Sequence, residues 1–116
     1  MSDLSDKQDR FLPLVAKLIT FAYEKGYTVR AGEAWRSPEQ AALNAQHHTG
    51  ITNSLHGLRL AIDLEAYRNG TWLKDTSDYQ ELGEYWKSLG ADCTWGGDFN
   101  SNPDGNHFSI TWGGIR

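Results

Sequence analysis

The sequence predicts an α+β domain in which a small antiparallel sheet packs with about three helices. Three observations lead there. Leu14, Val15, Leu18, Ile19 and Ala22 recur at the spacing of one helix face. An Asn69-Gly70 pair between Tyr67 and Trp72-Leu73 signals a tight hairpin, the connection that joins antiparallel strands. Helical and short strand-like runs follow one another without the regular alternation of a doubly wound sheet.

Element by element, Ser5 and Gln8 fit a capping box that opens the first helix. Pro13 is expected to break or restart it, since proline lacks the N–H that an interior turn needs. Gly26 ends the helix. Tyr27 to Trp35, with β-branched Thr28 and Val29, reads as a short strand. Ser37 and Pro38 suit the cap and first residue of a second helix through Gln46. Thr49 to Arg59 reads as loop, and Leu60 to Leu64 as a short apolar strand. Asp78 caps a third helix, with Tyr79, Leu82, Tyr85, Trp86 and Leu89 on one face and a stop at Gly90. Cys93 to Trp95 is a strand, Gly96 to Asn106 a long polar loop, and His107 to Trp112 the last strand.

Composition bounds the function. The chain has 116 residues, the size of a single domain spanning 1–116, and 39% hydrophobic with 22% charged residues excludes disorder. A net charge of −4 offers no electrostatic footprint for nucleic acid or an anionic membrane surface. Cys93 is the only cysteine, so no internal disulfide forms. The first residues are polar and acidic where a signal peptide needs a basic start and an apolar run, and no apolar run approaches a membrane span. The chain is therefore expected to be made in the cytoplasm without a signal peptide, not to insert into a membrane, and to act as a monomer.

Two positions stand out chemically. Asp63 interrupts the apolar run Leu60-Ala61-Ile62-Asp63-Leu64, and a buried carboxylate costs several kcal/mol (order of magnitude) unless cations or donors meet it. His56 stands seven residues earlier. In an unbroken strand the two would face opposite sides about 23 Å apart, so they share a target only if the chain turns, which Gly57 permits. His107 opens the last strand just after a loop carrying Asp104. Two histidines and a carboxylate are a three-ligand set for a catalytic zinc with a fourth position left to water, and Asp104 is then a candidate general base. The residues alone also allow a plainer arrangement, with Asp63 paired to Arg59 or Arg36 and both histidines as ordinary loop residues.

The segments Ser54-x-His56-x6-Asp63 and Asp104-x-x-His107-Phe108 resemble the zinc metallopeptidases of the D-Ala-D-Ala carboxypeptidase group. That group includes vancomycin-resistance peptidases and the L-alanyl-D-glutamate endopeptidases of phage endolysins. Ala61 stands in register, and Trp95-Gly96-Gly97-Asp98-Phe99 and Arg36-Ser37-x-x-Gln40 are similar to further motifs of the group. The resemblance implies a Hedgehog/DD-peptidase-like fold and one zinc per chain on His56, Asp63 and His107. It implies Asp104 as base, and Arg36 with Gln40 on the substrate or its developing oxyanion, a role suited to a guanidinium. Ser54 becomes a substrate contact, and Trp95 and Gly97 a wall of the cleft. Two departures stand beside this: Arg59 replaces the glycine expected between His56 and Asp63, and Ser109 stands where many relatives carry an acidic or amide residue.

The function so implied is hydrolysis of an amide bond in the stem peptide of bacterial peptidoglycan, foremost as an L-alanyl-D-glutamate endopeptidase of an endolysin. In that reading the enzyme acts on the wall after release, with a holin's help if phage-encoded. D-Ala-D-Ala carboxypeptidase or dipeptidase activity is the alternative. A non-catalytic cell-wall-binding or virion structural module is the alternative of another class, against which an intact Asp104 speaks. The remaining features read plainly: Trp86 and Trp112 as core, His47-His48 as an exposed helix end, Asp3, Asp6 and Asp9 as a solvated face, and Cys93 as a small buried hydrophobe.

Overall fold

The computed structural model describes residues 4–35, 37, 39–40, 43, 55–113 and 115. Helix α1 spans Leu4–Glu24. Its apolar stripe is Phe11, Leu14, Val15, Leu18 and Ala22, all buried, and each large side chain so buried is worth roughly 1.5–3 kcal/mol. Pro13 does not break the helix. It lies with Leu12 on the exposed face, where solvent can satisfy the carbonyl its missing N–H leaves free. Nor does a Ser5–Gln8 box open α1. Ser5 is inside the first turn, and the Gln8 amide donates instead to the Leu58 carbonyl (2.8 Å), tying α1 to the site loop. The end is as the sequence predicts: Gly26 has φ +89°, with Tyr27 N–H bonded to Ala22 O and Gly26 N–H to Tyr23 O.

Among the described residues five antiparallel strands follow: β1 (Thr28–Ala31), β2 (Ala61–Arg68), β3 (Thr71–Trp72), β4 (Cys93–Trp95) and β5 (His107–Ile110). Their order is β1-β2-β5-β4, with β3 pairing the far end of β2. Asn69 and Gly70 take φ of 54° and 77° in the β2–β3 turn, the conformation that two-residue hairpins require. Helix α2 spans Gln80–Ser88. Asp78 does not cap it directly. A 3₁₀ turn, Thr76–Tyr79, precedes α2, and the Asp78 carboxylate accepts from the Asp75 N–H, so the chain is turned one step earlier than expected. Of the helix expected over Pro38–Gln46, Glu39, Gln40 and Leu43 are helical, and the rest lies outside the described residues, as do His47 and His48.

The sheet is two-faced because strand side chains alternate. Ile62, Leu64, Ala66, Phe108 and Ile110 point into the core with Trp86, whose indole donates to the Ser109 carbonyl (3.0 Å). Phe11 meets Trp86 edge-on, and Lys7 and Arg10 of α1 hold Asp92 at 3.0 and 2.6 Å. Trp112 is only partly buried. Cys93 is buried and its thiol is pushed up to about 11 by that burial, so it serves as a small hydrophobe. The opposite face carries Asp63 and Glu65 of β2 and His107 of β5. Asp63 and His107 are direct cross-strand partners.

Candidate active site

His56 reaches the same point from a 3₁₀ turn, Leu55–Leu58. The reversal that brings it back over Asp63 falls at Arg59, not at Gly57. Arg59 has φ +58°, and Leu60 N–H bonds back to Leu55 O. This is the position where the sequence lacks the expected glycine. An L-residue there costs on the order of 1–2 kcal/mol, and the Arg59 guanidinium stacks on Trp35 at 4.7 Å, which offsets part of it. Arg59 is thus not the partner of Asp63.

Asp63 Oδ1 lies 3.4 Å from His56 Nε2 and 3.3 Å from His107 Nδ1. These are charge contacts, not aligned hydrogen bonds, and Asp63 Oδ1 has no hydrogen-bond partner among the described residues. One ligand atom from each of His56, Asp63 and His107 can be chosen so that all lie within 4.8 Å of one another. Both histidines are buried. Nδ1 of His56 is bonded to the Ala34 carbonyl (2.9 Å), which points to Nε2 as the nitrogen that would coordinate a metal, the arrangement usual for metal-bound imidazole. A bare, converging set of two imidazoles and a carboxylate fits a zinc ion. Burial raises the Asp63 pKa and the two imidazoles outweigh it, so the carboxyl is held at about 2. Burial lowers that of His56, and Asp63, the Ala34 carbonyl and Glu33 outweigh it, for a net rise.

The loop before β5 delivers Asp104. Asp104 N–H donates to Gly96 O (2.9 Å) and Asp104 O accepts from His107 N–H (3.1 Å), so the candidate base is tied through its backbone to the candidate ligand. Surrounding protein atoms, and next the Asp63 charge, push the Asp104 carboxyl above its usual range, which suits a proton acceptor. A Cβ on Gly96 would overlap the Asp104 carbonyl, so this glycine is what allows the loop to close.

Trp95 is not a wall of the cleft. It is 2% exposed, donates Nε1–H to the Gly105 carbonyl (2.7 Å), and packs so that a Cβ at Gly83 or Gly97 would overlap its ring. The two glycines sandwich a core indole. Gly97→Val is therefore expected to destabilise the fold by about 1–3 kcal/mol or more through overpacking, seen as a lowered thermal midpoint rather than as selective loss of substrate binding. Asp98 pairs with Lys87 (2.8 Å), outside the metal cluster. Gln40 is exposed on the short helical stretch, its N–H bonded to Ser37 Oγ. Arg36 and Ser54 lie outside the described residues. Sequence reasoning missed Glu33, whose carboxylate is 3.6 Å from His56 Nδ1, and Glu65, which accepts from Asn106 (2.8 Å) and Trp72 (2.9 Å) beside the site. An acidic residue two along from Asp63 on the same strand face was the available signal for Glu65.

Fold and donor set together define a zinc-dependent metallopeptidase. The chain belongs to the D-alanyl-D-alanine carboxypeptidase family, whose profile matches residues 44–110, more than half its length. Its fold is similar to that of the L-Ala D-Glu endopeptidase ChiX of Serratia marcescens, with a TM-score of 0.69 and 21% identity over 85% of this chain and 79% of that one. It is also similar to a variant of the vancomycin-resistance D,D-pentapeptidase VanY from a VanB-type cassette, in complex with Zn(II), with a TM-score of 0.60 and 17% identity over 87% and 70% of the two chains. No curated protein sequence matches the chain.

Proposed function

We propose that the chain hydrolyses a peptide bond in the stem peptide of bacterial peptidoglycan, as an L-alanyl-D-glutamate endopeptidase of the endolysin kind. The observation that carries the chemistry is the convergence of His56, Asp63 and His107 on one point, with Asp104 held on the adjoining loop. The bond assignment is supported by the fold shared with an L-Ala D-Glu endopeptidase. The family description favours a second reading, removal of a terminal D-alanine.

In this reading His56, Asp63 and His107 hold the zinc, which when bound supplies Lewis acidity to the scissile carbonyl and the attacking water. Asp104 accepts the proton of that water and returns it to the leaving nitrogen. Glu65 steadies the loop through Asn106, the neighbour of His107. Arg36, with Gln40 and Ser54, orients the substrate carbonyl and stabilises charge developing on its oxygen. No helix of the described residues is long and apolar enough to cross a membrane. The enzyme meets its substrate at the wall after release from the cytoplasm, acting as a monomer.

Mass spectrometry of purified peptidoglycan incubated with the protein tests this. New L-alanine C-termini and D-glutamate N-termini, abolished by chelator, are the expected products. Release of free D-alanine alone would move the activity to the carboxypeptidase reading, and an unchanged wall would end both.

A further inference from the structure

We propose that Lys74 is the specificity residue for a free carboxylate on the leaving-group side of the scissile bond. The inference rests on the peptidase reading above and names a part of the substrate that reading leaves open. A cavity of about 180 Å³ lies directly against Asp104, between its loop and the β2–β3 hairpin, with Glu65, Trp72, Lys74, Thr76 and Asn106 in its walls. Asp104 returns a proton to the leaving nitrogen, so that nitrogen sits within hydrogen-bond reach of Asp104. This cavity, which Asp104 itself lines, is the adjoining space open to whatever is attached to that nitrogen.

Both candidate substrates carry the same group there. A D-glutamyl residue linked onward through its γ-carboxyl keeps its α-carboxylate free, and a terminal D-alanine has a free α-carboxylate too. In each case the anion is one carbon from the leaving nitrogen. Among the described residues the cavity wall holds three charged side chains, Glu65, Lys74 and Asp104. Glu65 is already engaged, its two oxygens accepting from Trp72 Nε1 and Asn106 Nδ2. Lys74 makes no ion pair among the described residues, and its ammonium stands 5.5 Å over the ring of Trp72, which is 46% exposed. Among the described residues it is the cation in this wall, and a carboxylate is the partner an ammonium donor takes.

The test uses the zinc-loaded protein and two pairs of probes, D-alanine with D-alaninamide and γ-D-glutamyl-lysine with its α-amide, titrated by tryptophan fluorescence and by the NMR shift of the Trp72 indole. For at least one pair the carboxylate form is expected to bind about tenfold more tightly than the amide, the order of one charge-assisted contact. Lys74→Gln, on an exposed position that leaves the fold intact, is expected to abolish that preference, while Lys17→Gln on α1 keeps it. Equal affinity for acid and amide in both pairs, or a preference that survives in Lys74→Gln, overturns the proposal. Because the readout is binding, failure to cleave peptidoglycan refutes the peptidase reading separately and leaves this result interpretable.

Discussion

Asp104→Asn is expected to yield a folded, zinc-loaded protein with about 10²–10⁴-fold less activity, the usual worth of general acid–base help. The structure gives reasons for each half of that outcome. The bonds that place Asp104 are made by its backbone, N–H to Gly96 O and carbonyl to His107 N–H, so an amide side chain leaves the loop and His107 where they are. Asparagine has nearly the same shape but cannot take a proton near neutral pH. Neither water activation nor protonation of the leaving nitrogen then has its group, while zinc alone still acidifies water. Zinc stoichiometry is to be measured beside the rate of bond cleavage on isolated wall. Zinc lost together with activity would make Asp104 a ligand. Activity retained would move the base to another carboxylate; Asp98 is held by Lys87, and Glu33 stands on the Nδ1 side of His56, away from the nitrogen that faces Asp63.

What could be read from the sequence was whatever short-range pattern decides. The buried stripe of α1, the Gly26 stop, the Asn69-Gly70 turn and the strand Cys93–Trp95 each follow from spacing or from a residue's own backbone preference. The misread positions depend on which side of an element faces water. Pro13 is tolerated in mid-helix because it is on the outside, and Trp95 is core because α2 brings Gly83 against it. The site shows the same division. The residue types of His56, Asp63 and His107, with the family resemblance of their segments, pointed to the candidate ligands that the fold brings together, but a turn at Arg59 with φ +58° breaks a residue preference and only the packed chain reveals it. The clasp between Gly96 and Asp104 was likewise invisible, because its bond is made by backbone atoms, and the need for glycine at 96 shows only once the Asp104 carbonyl is packed against it.

Removing the metal is expected to cost stability as well as activity, and His56→Ala and His107→Ala are expected to make that cost permanent. The protein as purified should carry about one zinc per chain, and either substitution should bring it near zero, since three protein ligands are the minimum for a lasting catalytic site. A ligand present at a thousand times its dissociation constant stabilises the fold by about 4 kcal/mol. For a chain of this size chelation should then lower the thermal midpoint by more than about 10 °C. The metal-free centre is poorly satisfied, because Asp63 Oδ1 is buried between the two imidazoles and has no hydrogen-bond partner among the described residues. Each alanine variant should melt near the chelated wild type and show no further response to chelator, a pattern that lost side-chain packing alone would not produce. His107→Ala is expected to be the more damaged of the two. Its ring also packs against Phe99 at 5.6 Å and lies opposite Asp63 in the sheet, whereas His56 sits on a short turn beyond the strands. Zinc retained at full stoichiometry in both variants would remove these residues from the metal centre and with them the peptidase mechanism built on it.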